Sequence, residues 1–161
     1  MKSLLLAAVA SLFGCSTAAP PGPCVAYQVP VGTDLSQPTL SFQKDVIPIL
    51  QTNCAKSACH GSSLGKNNGV YLGTPEGPVD ASRVHGALVN VTSPTAPALQ
   101  FVTPSDPDKS FLLRKVDGDL CMIEAQCGRN CGLSMPKEAP PLDVASRDVI
   151  RRWIAQGATN N

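Results

Sequence analysis

The chain has 161 residues, a net charge of +1, 16% charged residues and 4% aromatics. This length suits one domain, and the even charge balance excludes a nucleic-acid footprint, which needs clustered excess Lys and Arg. With 15 Pro, 13 Gly and few aromatics, much of the chain is expected to be loop around a thin core that needs disulfides, a metal or a cofactor. Seven cysteines point the same way, and their odd number means that one has a different task.

Residues 1–14 read as an export signal. Lys2 supplies the positive start, and residues 4–13 form an apolar run broken only by Ser11, too short to span a bilayer. The run ends in Leu12-Phe13-Gly14-Cys15. This resembles the lipobox of bacterial lipoproteins, where the cysteine is acylated and becomes the first residue. The other reading is an ordinary secretory signal cut near Ala18-Ala19. Both place the mature chain in an oxidising compartment where disulfides persist. Acylation of Cys15 would anchor it on the periplasmic side of a bacterial membrane, and Ser16 after the cysteine resembles outer-membrane sorting. Cleavage removes Lys2 from the 13 basic residues and nothing from the 12 acidic ones, so the mature side chains balance. Residues 15–40 are expected to form an anchored tether and N-terminal extension, with Ser, Thr, Ala, Pro and Gly filling 16–23. The domain proper is expected over 41–161.

The domain reads as all-α. Over 42–50, Val46, Ile47, Ile49 and Leu50 share a helical face with Phe42, and Pro48 confines or kinks the helix. Residues 61–78 read as loop, and 84–91 fit a short helix or a strand. After a further loop over 94–107, a short helix is expected over 108–116, with Phe111, Leu112 and Lys115. The clearest helix is 144–156. Asp143 caps it, and Ala145, Val149, Ile150, Trp153 and Ile154 line one face. Arg147, Arg151 and Arg152 lie on the others, which are expected to be solvated. Gly157 offers the left-handed stop.

Cys54-Ala55-Lys56-Ser57-Ala58-Cys59-His60 is the chemical centre of the sequence. Two cysteines close together, with histidine directly after the second, are what covalent haem attachment requires. Each thiol adds to one vinyl group, and the adjacent imidazole reaches the iron. The usual form is C-x-x-C-H; here four residues separate the cysteines, which the chemistry permits if the extra residues bulge from the turn. Two other readings stand beside it. One is a disulfide loop between Cys54 and Cys59 with an incidental His60. The other is a zinc or copper site, for which four ligands are usual and His85 is the other histidine.

An electron-transfer haem usually takes a second axial ligand, Met or His. After signal removal the methionines are Met122 and Met135. Met135 precedes Pro136, which restricts its backbone and lets a stiff loop present the thioether at fixed distance. Met122 lies in a Cys-rich segment without that framing. Met135 is therefore favoured over Met122 and over His85, which is expected to be a loop or surface histidine.

Further segments follow in order: Val102-Thr103-Pro104-Ser105-Asp106-Pro107, Ser110-Phe111-Leu112-Leu113, Met135-Pro136, Pro141-Leu142, and Ile150-Arg151-Arg152-Trp153-Ile154-Ala155-Gln156-Gly157-Ala158. With the helix over 42–50 and the attachment segment 54–61, this ordered set resembles a class of bacterial monohaem c-type cytochromes, often lipoproteins. The resemblance covers roughly 41–158. It implies a cytochrome c-like fold in which the first and last helices cross with one covalent haem c between them. It implies electron transfer, with His60 as proximal and Met135 as distal ligand, and Trp153 packed near the haem. The sequence departs from the pattern in the longer gap between Cys54 and Cys59 and in the extra cysteines before Met135.

Cys24, Cys121, Cys127 and Cys131 remain as disulfide candidates, with three possible connectivities. Cys121 with Cys131 and Cys24 with Cys127 is the expected pairing, stapling the loop that carries Met135. Lys137 is a candidate for a docking surface beside Met135. The expected function is a membrane-tethered carrier of one electron between a redox-protein donor and acceptor, not an enzyme. The alternatives are a disulfide-stapled binding lipoprotein without haem and peroxidase-like haem chemistry, which needs an open sixth position.

Overall fold

The computed structural model describes residues 23–62 and 70–161. The expected export signal over 1–14, Cys15 and residues 16–22 lie outside them. The described residues form helices and no strand; sheet-like pairing is limited to isolated bridges such as Val89 with Val102.

A π-helical turn, Phe42–Val46, runs into α1, Ile47–Asn53. Pro48 falls in the first turn of α1, where a missing N–H costs little. The Ile47 N–H just before it bonds the carbonyl of Phe42, one residue further back than an α-helix would take it. The proline is thus accommodated by a wider turn before it. Helix α2, Ala81–Leu88, is capped by Asp80, which accepts the Arg83 N–H at 3.1 Å. It settles the ambiguous stretch: Ala81, Val84 and Leu88 are buried at helical spacing, and only then does Val89 pair with Val102. A 3-10 turn, Pro107–Lys109, leads into α3, Phe111–Asp117, which buries Phe111, Leu112, Leu113 and Val116. A second 3-10 segment, Leu120–Gln126, was not apparent from the sequence. It turns Leu120 and Ile123 into a small satellite core with Phe111 and Cys131. Helix α4, Val144–Ala155, begins as expected: Asp143 accepts the Ser146 N–H at 2.9 Å. It ends before Gly157 at φ +98°.

The main core joins Phe42, Val46 and Leu50 to Val84 and Leu88, to Leu113 and Val116, and to Ile150, Trp153 and Ile154. The Phe42 and Trp153 rings stack with centroids 4.7 Å apart, so the first helical segment packs directly on α4. Asn161 closes this corner. Its carbonyl accepts the Gln43 N–H and its side-chain oxygen accepts the Phe42 N–H, two donors that a helix start leaves without partners.

Three expectations are corrected here. The cysteines pair as Cys24–Cys121 and Cys127–Cys131, not as Cys121–Cys131 and Cys24–Cys127. The reason lies in the path of the N-terminal segment. Tyr27 stacks under Arg147 and Arg151, at 4.4 and 4.7 Å, and its N–H donates to Asp119. That brings Cys24 beside Cys121. Gln156 holds the rest of the segment, accepting the Leu40 N–H and donating to the carbonyls of Leu35 and Pro38. Second, Arg151 is not solvated. It is buried and bonds Asp117 of α3 at 2.8 Å, with Arg147 at 3.4 Å from the same carboxylate. Third, His85 is neither in a loop nor at the surface. It sits on α2, half-buried, edge-on to Phe42 and Trp153, and its Nε2 bonds the carbonyl of Ala158 at 2.7 Å.

Candidate functional site

The segment 54–61 is a closed loop at the end of α1. The Cys54 and Ala55 N–H groups both return to the carbonyl of Leu50. The Cys59 and Gly61 N–H groups bond the carbonyl of Lys56, and the His60 N–H bonds that of Cys54 at 3.1 Å. This last bond draws the ends of the motif together. Ala55 is buried while Lys56, Ser57 and Ala58 are exposed, so the longer spacing is taken up on the solvent side. Gly61 is required by packing: a Cβ there would run into the carbonyl oxygen of Ala55.

His60 is oriented by the chain that returns after 70. Its Nδ1 lies 3.0 Å from the carbonyl oxygen of Val70, and the Leu72 N–H bonds its backbone carbonyl. A carbonyl can only accept, so Nδ1 carries a proton, and in the neutral ring Nε2 then holds the lone pair. This is the tautomer that a metal-ligating imidazole uses, with its second nitrogen bonded to the protein.

Cys54, Cys59, His60 and Met135 line one cavity of about 330 Å³. Its walls are mainly apolar, from Leu72, Leu88, Phe101, Leu112 and Val116. Lys56, Lys115 and Lys137 also line it, and among the described residues no carboxylate does. Cys54 is buried, and burial pushes its thiol up to about 11, with the neighbouring Cys59 adding to the effect. The thiol is therefore protonated at neutral pH. Neither Cys54 nor Cys59 belongs to a disulfide. Burial also pushes the Lys115 ammonium down from its usual range.

The Met135 loop is fixed to α3. The Met135 N–H donates to the Lys115 carbonyl at 2.7 Å. That carbonyl lies in the last turn of α3, where no later N–H of the helix can serve it. Met122 has a different place: it is half exposed, with its sulfur 3.4 Å from Sγ of Cys24, and is absent from the cavity wall. His85 and Trp153 are likewise absent from that wall. Among the described residues, no three His, Cys, Asp or Glu side chains converge to hold a bare metal ion. The two thiols, His60 and Met135 are instead spread around a mainly apolar space. The sequence singled out the two thiols, His60 and Met135. It did not single out the Val70 carbonyl, the lysines at the cavity as a set, or the Asp117 ion pairs, because each pairs residues distant in the chain.

No protein-family model matches the chain, and no curated protein matches it. A solved structure of Kuenenia stuttgartiensis Hydrazine Synthase is similar over 74% of this chain, with 25% identity and a TM-score of 0.46. This chain spans 16% of that one.

Proposed function

We propose that the protein is a monohaem c-type cytochrome of cytochrome c-like fold that carries one electron between redox proteins. The observation that carries this reading is the convergence of Cys54, Cys59, His60 and Met135 on one apolar cavity. The donor set fits haem c in kind: two thiols outside the disulfides, an imidazole with Nε2 available, and a thioether. The positive charges at the cavity suit the carboxylates of such a cofactor.

When bound, the haem supplies an iron that gains and loses one electron. The chain does the rest. Cys54 and Cys59 would hold the cofactor through thioether bonds, each thiol adding across one of its vinyl groups. His60 is kept in its ligating tautomer by Val70, and Met135 offers a soft sulfur that favours the ferrous state. The apolar walls exclude water, and the nearby lysines disfavour added positive charge, so both push the potential upward. No bond is made in a substrate, so the protein acts as a carrier and not an enzyme. Cys15 is proposed to bear the lipid anchor, at the periplasmic face of a bacterial membrane, the outer one by the Ser16 signal. Among the described residues no helix is long and apolar enough to cross a membrane.

Intact mass and a pyridine haemochrome spectrum of periplasmically matured protein test the reading. The expected result is one covalent haem per chain. It should be held by a single thioether in Cys59→Ala and lost from covalent attachment when Cys54→Ala is added. Met135→Ala should lower the potential. An unmodified mass with Cys54 and Cys59 joined in a third disulfide would overturn the proposal in favour of a haem-free stapled protein. An unchanged spectrum and potential in Met135→Ala would remove Met135 as ligand and favour an open sixth position.

A further inference from the structure

Lys115 holds the Met135 loop from both ends of its own residue. Its backbone carbonyl accepts the Met135 N–H at 2.7 Å. Its ammonium, on the same cavity wall, donates to the carbonyl of Cys131 and to that of Leu133 at 2.9 Å. The two acceptors flank Gly132, whose φ of +72° places it in the left-handed region. A Cβ on Gly132 would come 2.9 Å from the Lys115 Nζ, so glycine also makes room for the ammonium. The ammonium further lies 5.1 Å from the centroid of the Phe111 ring, whose face attracts it. One half-buried side chain on α3 thus ties two carbonyls just before Met135, while its backbone ties Met135 itself. The loop has no helix or strand of its own to stiffen it.

Resting on the haem reading above, we propose that Lys115 is the positioning residue for Met135: its ammonium clamps 131–133 so that the thioether is presented to the cavity rather than to solvent. The clamp sets how readily an outside ligand displaces the sulfur. A purely electrostatic lysine would leave the loop unaffected, and a merely structural one would act equally with or without Met135.

The test is a double-mutant cycle read by imidazole binding to the haem-loaded full chain. Lys115→Met keeps the apolar stem and the backbone carbonyl but removes the charged donors. With Met135 present, it should raise imidazole affinity about tenfold, the factor that one charge-assisted hydrogen bond is worth. In a Met135→Ala background it should change nothing. Amide exchange at 131–135 gives a readout independent of haem: protection of the Met135 N–H should fall by a similar factor. Lys115→Gln serves if Lys115→Met does not fold. Unchanged imidazole affinity with unchanged exchange overturns the proposal, and so does an equal change in both backgrounds. A wild-type chain without haem defeats the functional reading instead. In that case lost protection in Lys115→Met still upholds the clamp, and retained protection overturns it.

Discussion

At Cys54 a single buried sulfur shows what the fold does to a reactive group. Its thiol is raised from 9.0 to about 11 because an apolar surrounding penalises the thiolate, and Cys59 adds a smaller push. The sign follows from linkage. Above 9.0 the unfolded chain gives up the proton while the folded chain keeps it, so stability is full below 9.0 and drains away as the pH rises towards 11. For the haem-free chain this loss should be on the order of 2–3 kcal/mol, measured as the urea midpoint from neutral pH upward. If haem is attached as proposed, the sulfur becomes a thioether and cannot titrate, so this loss should be absent. A haem-free chain with a flat profile would contradict the burial argument. The two thiols and His60 were legible in the sequence because the proposed attachment chemistry depends on residue type and immediate neighbours. The acceptor that bonds Nδ1 of His60 was not, since Val70 lies 10 residues further along the chain.

Among the elements, the disulfides divide their work by loop length. Cys24–Cys121 closes a separation of 97 residues and Cys127–Cys131 one of 4. Constraint of the unfolded chain grows with the logarithm of that length. Replacing the first pair by serines should cost about 4–5 kcal/mol, and replacing the second about 2 kcal/mol. Denaturant unfolding of the two double variants measures this, and the reverse order would refute the entropic account. The four cysteines other than Cys15, Cys54 and Cys59 were readable as two bridges. Their partners were not, because Tyr27, Asp119 and the arginines of α4 decide where the N-terminal segment lies. Helix α4 was readable nearly to the residue. Its cap, its apolar spacing and its terminal glycine are all local signals. Residues 84–91 were not, because Val89 belongs to a pairing with Val102 that a local window does not contain.

For the whole molecule, the buried ion pairs connect three parts of the chain. Asp117 closes α3 onto Arg147 and Arg151 of α4, and Tyr27 covers both guanidinium groups from the N-terminal segment. Burial pushes the Asp117 carboxyl up, against the pull of Arg151 and Arg147. Removing one side of such a group strands the other. Asp117→Ala should therefore lower unfolding free energy by about 3–5 kcal/mol, whereas Asp117→Leu with Arg147→Met and Arg151→Met should be close to neutral. Calorimetry or urea unfolding of both variants checks this, and a mild effect of Asp117→Ala alone would refute it.

At this same scale the contribution of sequence and of tertiary structure separate. By itself the sequence determined the helical character and the supply of disulfide cysteines, and it singled out Cys54, Cys59, His60 and Met135. Each rests on residue identity and on spacing within a turn or two. Only the tertiary structure decided that the two thiols, His60 and Met135 share one apolar cavity, that Cys24 meets Cys121, and that Arg151 turns inward. Those outcomes depend on how α1, α3, α4 and the loops between them bury their apolar faces together. Packing of that kind joins residues separated by tens of positions, and no local pattern specifies which of them will touch.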